Sequence, residues 1–425
     1  NDSNSLNKNF YAELLHIMGW EEVGDKGKRI ITRKNENERC EASIIENTIN
    51  VLDAEDRLHH VANLTSYGTD RQSQLFNIAL ELSINWINRI LFLKLLEAQM
   101  IKYHKGDKSY AFMNPESIAD YDELNRLFFQ VLARRTDDRT RSINDRYGKV
   151  PYLNSSLFEV SRLEDATIRI SNLENLDIPL WTGTVLKENN KPRYKQLSTL
   201  RYLLEFLDAY DFASEGVEGV EEKAKTLINA SVLGLIFEKI NGHRDGSVFT
   251  PGAITMYMCR EAIRHVVVQK FNEYYGWNCI DYNTLKDKDI DNKQEANNII
   301  NSIRLADPAV GSGHYLVSAL NEIIATKFDL GILLDCNGRK IKKQNYHIEI
   351  ENDELIVTDD EGEAFNYIPG QPESQRIQEA LFNEKRTIIE NCLFGVDLNP
   401  NSVNICRLRL WIELLKNAYY TKESE

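Results

Sequence analysis

Apolar residues recur at helical spacing through the first half of the chain. Leu6, Phe10, Leu14 and Ile17 share one face of residues 5–18, and Gly19 follows as a natural stop. Residues 72–102 are apolar almost all round (Leu75, Phe76, Leu80, Ile84, Ile87, Leu91, Leu95), the pattern of a helix central to its domain. Further amphipathic stretches run at 120–134, 196–209 and 222–241. Polar connectors of strand or turn character, such as YGKVPYLNSSLF at 147–158, separate them. The spacing predicts a mostly helical domain over 1–230.

The pattern changes after that point. Gly242 to Gly246 interrupts it, and a long helix is expected from Pro251 to Tyr275. A polar connector, DKDIDNKQE, fills 287–295. A short apolar strand (Ile303 to Ala306), a glycine turn and an amphipathic helix from His314 to Phe328 come next. Period-two alternation then takes over in 331–370, where YHIEIENDELIVTD reads strand, turn, strand. We place a β-rich insertion at 331–385. The core then resumes with a helix, a second strand CLFGV at 392–396, and a helix from Pro400 to Tyr420. Strand–turn–helix twice over is the start of a parallel, doubly wound sheet. The expected fold class is therefore α followed by α/β, with domains 1–230 and 231–425.

Composition narrows the classes. A chain of 425 residues suggests two or three domains at roughly 150 residues each. Its 42% apolar and 27% charged content suits a globular chain with a buried core. Asn85, Asn88, Arg89 and Lys94 interrupt the longest apolar stretch, so no run approaches the roughly 20 residues of a membrane helix. The polar opening NDSNSLNKNF has no secretory centre and no initiating Met, and the chain reads as a piece of something longer. Six scattered cysteines without a C-x-x-C pair argue against a zinc site or a disulfide framework, and for a reducing cytoplasm. The net charge of −14 argues mildly against a polyanionic partner, although a local basic groove on an acidic protein still binds phosphates.

Two motifs carry chemistry. In LADPAVGSGHYL (305–316) a strand ends at Asp307, and Gly311, Ser312 and Gly313 turn the chain into a helix. Glycines let the backbone approach a ligand, and the helix N-terminus offers free N–H groups. A tight turn with no ligand is the plain alternative. In LFGVDLNPNSV (393–403) Asp397 closes the second strand, where a carboxylate can accept from both hydroxyls of a ribose. The plain alternative is a helix start, with Asp397 or Asn399 as the cap. Asp397 follows Gly313 at far more than the roughly 20 residues of a dinucleotide fingerprint. Removing the insertion leaves about one βα unit plus a strand. A hydride-transfer enzyme is therefore disfavoured.

DPAVGSGHYL resembles the first S-adenosylmethionine motif of adenine-N6 DNA methyltransferases. GSVFTPGAITMYMCREAI (246–263) is similar to the segment preceding it in that group, and FGVDLNPNSVNICRLRLWIELL matches the second cofactor motif. NRILFLKLLEAQMI, RYGKVPYLNSSLFE and SVLGLIFEKINGHRDGSVFTPG resemble type IIG restriction–modification enzymes, single chains that fuse an endonuclease to an adenine methyltransferase. The resemblance covers most of the chain and implies the first part of a Rossmann-like class I methyltransferase domain. It implies S-adenosylmethionine as cofactor and double-stranded DNA as substrate. Thr250, otherwise an N-cap before Pro251, would reach the methionine carboxylate. Asp307 would engage the methionine end through its ammonium or an ordered water. Ala309, Gly311 and Gly313 would bring backbone to the cofactor, Asp397 would hold the ribose, and Leu398 would pack on adenine. Phe249 and His314 could line the pocket, His314 being equally well a plain helix-start residue.

Residues 134–149 (RRTDDRTRSINDRYGK) carry six Arg or Lys against three Asp. Arg134, Arg135, Arg139 and Arg141 would contact DNA phosphates, or the stretch is a solvated surface loop. Trp20, Trp86 and Trp181 read as core. The family's N/D/S-P-P-Y/F/W motif, which accepts the target amino group and stacks on the flipped base, is absent. Asn399-Pro400-Asn401 and Asn114-Pro115-Glu116 lack the second proline and the aromatic. Nor is there a P-D-x-n-E-x-K nuclease core, so a metal is expected only with an endonuclease domain outside this chain. No catalytic residue is assigned. We expect the chain alone to transfer no methyl group and to need a C-terminal half carrying the catalytic motif and target recognition. The rival class is a non-catalytic binding or scaffold module that kept the half-fold. An RNA or protein methyltransferase is a weaker third.

Overall fold

The computed structural model describes residues 7–25, 28–153, 156–213, 227–241, 250, 252–351 and 353–421. The chain divides into two compact units, Asn1–Arg244 and Asp245–Glu425.

The first unit opens with α1 (Lys8–Met18). Asn7 caps it by accepting from the Asn9 and Phe10 N–H groups, and Gly19 ends it in the left-handed region at φ 76°. A hairpin of β1 (Trp20–Asp25) and β2 (Lys28–Arg33) follows, then α2 (Ile44–Glu55). Next comes α3 (Arg71–Tyr103), capped by Asp70 and free of Gly and Pro throughout. Leu82, Leu91, Leu93 and Leu95 on α3 are fully buried and form the centre of this unit. Three charges in this helix are buried too, and each is paired. Arg89 donates to both carboxylate oxygens of Glu164, and Trp86 donates to the same carboxylate. Lys94 is held by Glu97 and Asp208. Charges that break a membrane-like run thus reappear as ion pairs inside the fold.

The unit continues through α4 (Tyr121–Arg126), which passes into a π-helical turn at Leu127–Leu132, then α5 (Arg141–Tyr147) and α6 (Arg162–Ala166). Short strands β3 (Asp177–Pro179), β4 (Lys187–Glu188), β5 (Lys191–Pro192) and β6 (Gln196–Ser198) precede α7 (Thr199–Asp208). The unit closes with β7 (Asp211–Ala213), β8 (Leu227–Asn229) and α8 (Ala230–Asn241). Among the described residues the strands pair two at a time, as β1–β2, β3–β6, β4–β5 and β7–β8. The expected helix at 196–209 begins three residues late because Gln196–Ser198 extends to pair with Asp177–Pro179. In the expected helix at 222–241, Leu227–Asn229 is strand, pairing in parallel with β7. Residues 222–226, like Gly242 to Gly246, lie outside the described residues.

The second unit begins with α9 (Gly252–Tyr275), then α10 (Tyr282–Lys286) and α11 (Lys293–Asn301), so the polar connector ends as a helix capped by Asn292. β9 (Leu305–Asp307) leads into α12 (His314–Asp329). The β10 (Tyr346–Glu351) and β11 (Glu354–Asp359) hairpin follows, then α13 (Pro372–Asn391), β12 (Leu393–Gly395) and α14 (Pro400–Leu415). β12 lies parallel to β9, with Leu393 opposite Leu305 and Gly395 opposite Asp307. Val267 and Phe271 on α9, Leu320 and Ile323 on α12, and Leu381 and Ile388 on α13 build one buried core.

Two expectations need correction here. The insertion is not β-rich to its stated end: residues 372–385 belong to α13, whose Ile377, Leu381 and Ile388 repeat at helical spacing into the core. The last helix stops at Leu415, not Tyr420. Sequence alone marked no break there, but Lys416 and Asn417 turn to bond Ile412 and Leu414 carbonyls.

Candidate functional site

The parallel pair β9–β12 brings the two motifs together. Val396 N–H donates to the Asp307 carbonyl at 2.9 Å, and Val310 N–H donates to the Val396 carbonyl at 2.9 Å. The turn after β9 is therefore laced to the end of β12. Asp397 completes the lacing. Its Oδ2 accepts from Gly311 N–H at 2.9 Å, and its Oδ1 accepts from Asn399 N–H at 2.8 Å. Asp397 so closes a short turn just before α14 and clamps the glycine turn. Each carboxylate oxygen keeps a further lone pair, so these bonds leave room for hydroxyl donors.

The turn needs its glycines. Gly311 stands at φ 52° and Gly313 at φ 87°. A Cβ on Gly313 would sit 2.7 Å from the Cys406 Sγ, so α14 packs against the bare backbone there. Burial pushes the Cys406 thiol up to about 11, which makes it a packing residue and not a nucleophile.

Asp307 holds the other side. Its Oδ1 accepts from Ala309 N–H at 3.0 Å, closing a short Asx turn. Its Oδ2 is buried and has no hydrogen-bond partner among the described residues. A buried carboxylate oxygen without a donor is costly, and sites that bind a donor are where such atoms persist. Leu398 is fully exposed, Val396 is largely so, and Phe394 is about half exposed. Thr250 is half-buried just before α9. Phe249 lies outside the described residues.

His314 opens α12. Arg409 on α14 lies 3.3 Å from its Nδ1 and also donates to Ser312 Oγ at 3.3 Å. Arginine has no acceptor, so Nδ1 is the acceptor in that contact. Sequence reasoning missed Arg409, and also Asp353 at the β10–β11 turn, whose Oδ2 is 3.9 Å from the same nitrogen. Neither carries a local signal, because both reach the site from other elements.

Residues 3–228, more than half of the chain, match the family described as a domain of unknown function, DUF7814. The chain belongs to the DUF7814 family. The DUF7814 match falls in the helical unit, and the strand–turn–helix motifs lie beyond it. Over 361 residues the chain is 28% identical to a Methanocaldococcus jannaschii protein provisionally named a type II restriction enzyme and methyltransferase. The alignment takes in 78% of this chain and 24% of that protein, so the chain spans about a quarter of the relative's length. No solved structure matches.

Within the DUF7814 region, the basic stretch does not present its arginines alike. Arg134, Arg135 and Arg141 are exposed. Arg139 is only 6% exposed, and it donates to the carbonyls of Val131, Arg134 and Val150 at 3.1, 3.1 and 2.8 Å. It closes the loop from inside and does not point outward with the others. Trp20 and Trp86 are buried, and Trp181 is half-buried. All six cysteines are free thiols. Among the described residues no group of three or more His, Cys, Asp or Glu is placed to hold a metal ion, and no helix is long and apolar enough to cross a membrane.

Proposed function

We propose that this chain is the cofactor-holding portion of a restriction–modification DNA methyltransferase that uses S-adenosylmethionine and acts on adenine N6. The observation that carries this reading is the lacing of the two motifs: Asp397 clamps the Gly311 N–H while Asp307 keeps a buried oxygen without a donor among the described residues. That oxygen and the spare lone pairs on Asp397 suit a ligand with cationic and hydroxyl donors. The 28% identity to a protein whose name joins restriction and methylation supports it at the coarser level. Asp307 would take the methionine end, with Thr250 on its carboxylate, and Asp397 the ribose. Ala309, Gly311 and Gly313 would supply backbone, and Leu398 would cover the adenine. When bound, the cofactor supplies an electrophilic methyl group. The two strands belong in this reading to a Rossmann-like sheet. Arg134, Arg135 and Arg141 would meet DNA phosphates. With no N-P-P-Y sequence, the chain depends for methyl transfer on a further half that brings the acceptors and the flipped base.

The test is calorimetric titration with S-adenosylhomocysteine. Wild type should bind, and Asp397→Ala should weaken binding by about 1–3 kcal/mol, the cost of stranding the ribose hydroxyls. Asp397→Asn keeps one oxygen for the Gly311 N–H and should fall between. Equal binding by all three would remove Asp397 from the site.

A further inference from the structure

The β10–β11 hairpin delivers one acidic residue to the candidate site. Asp353 stands at its turn with φ 67°, and three contacts fix it against the rest of the unit. Its Oδ1 accepts from the buried Ser318 hydroxyl on α12 at 2.6 Å. Its carbonyl accepts from the Asn321 amide at 3.0 Å, and its N–H approaches the Met256 Sδ on α9 at 3.1 Å. The side chain is only 14% exposed. Its Oδ2 lies 3.9 Å from His314 Nδ1, which is engaged as acceptor by Arg409. A Cβ placed on Gly252, the first residue of α9, would be 4.0 Å from the same oxygen.

The carboxylate is therefore held where the starts of α9 and α12 meet, at the end of the glycine turn away from the Asp397 clamp. Burial pushes the Cys259 thiol up to about 12, and Asp353, Glu322 and Asp307 push it in the same direction. Asp353 and Asp307 thus both act on one buried thiol. The Asp307 Oδ2 has no donor among the described residues, and the Asp353 Oδ2 faces a ring nitrogen that is itself an acceptor. A primary ammonium, with several N–H donors and a positive charge, is a group that either carboxylate would accept from.

We propose that Asp353 is a specificity-determining residue of the site, accepting from the ammonium of the cofactor's amino-acid end. This rests on the S-adenosylmethionine reading above. It assigns the hairpin a purpose: it carries an acceptor that neither strand–turn–helix unit supplies.

The experiment compares two probes by calorimetry. S-adenosylhomocysteine has the amino-acid end, and 5′-methylthioadenosine has the same nucleoside and sulfur without it. Asp353→Asn suits the left-handed backbone, because asparagine is at home there, and it removes the charge and one acceptor oxygen. It should lower affinity for S-adenosylhomocysteine about tenfold and leave 5′-methylthioadenosine within about twofold. Ser318→Ala, which frees the same carboxylate from its tether, should act in the same sense and more weakly. Equal losses for both probes would make Asp353 a structural residue and overturn the proposal, as would no loss for either. If wild type bound neither probe, the cofactor reading itself would fail and Asp353 with it. If wild type bound 5′-methylthioadenosine alone, the nucleoside half of that reading would stand and the proposal would fall.

Discussion

Glu413 on α14 is 5% exposed and sits between Lys416 at 2.9 Å and Lys385 at 3.3 Å. Burial pushes its carboxyl up, but the two ammonium groups outweigh burial and hold it at about 2. Its folded value lies below the ordinary one of 4.5, so the stabilisation is full above that pH and is lost as pH falls toward about 2. Urea unfolding across that window should show a loss of a few kcal/mol with this acidic limb. Glu413→Gln should be less stable at neutral pH, because it removes a buried anion that two ammonium groups contact, and its acid limb should be flatter. An unchanged limb would mean that other carboxylates set the acid response. At this scale the sequence was informative where backbone chemistry speaks. Gly313 and Asp397 were legible because a turn that needs positive φ, and an acid at a strand end, announce themselves locally. Glu413, Arg409 and Asp353 were not, since the contacts of each are made with a residue on another element.

The loop from Arg134 to Lys149 shows how an element divides among roles that sequence treats as one. Arg139 fastens the loop by donating to the carbonyls of Val131, Arg134 and Val150, whereas Arg134, Arg135 and Arg141 stand outside. Arg139→Ala should therefore destabilise the unit by about 1–3 kcal/mol, the cost of unsatisfied buried carbonyls. Replacing Arg134, Arg135 and Arg141 together should leave the melting temperature nearly unchanged. On the proposed DNA contact, the triple variant should lower the salt slope of binding by roughly 0.9 for each phosphate that an arginine had neutralised. A triple variant with an unchanged slope would return the loop to a solvated face. Among the other elements, α3 and the β10–β11 hairpin were legible from periodicity, because each buries a regular pattern. The β1–β2 hairpin was not foreseen. WEEVGDKGKRIITR alternates poorly, and its pairing depends on the packing of Trp20 and Ile31 into the core.

Across the whole molecule, the order of motifs carried more than any single spacing. The two strand–turn–helix units are separated in sequence by a hairpin and a 20-residue helix, yet they pair directly as β9 and β12. The family match covers the helical unit, and the two strand–turn–helix motifs lie in the other. We propose that the Gly311–Gly313 turn, with Asp307 and Asp397, holds S-adenosylmethionine. A crystal structure grown with saturating S-adenosylhomocysteine tests it most directly. The account predicts the ribose hydroxyls on Asp397, the backbone of Gly311 to Gly313 along the ligand, and the Asp307 Oδ2 satisfied by the amino-acid end or a water bound to it. Ligand density elsewhere on the chain, or none at this turn at saturation, would contradict it.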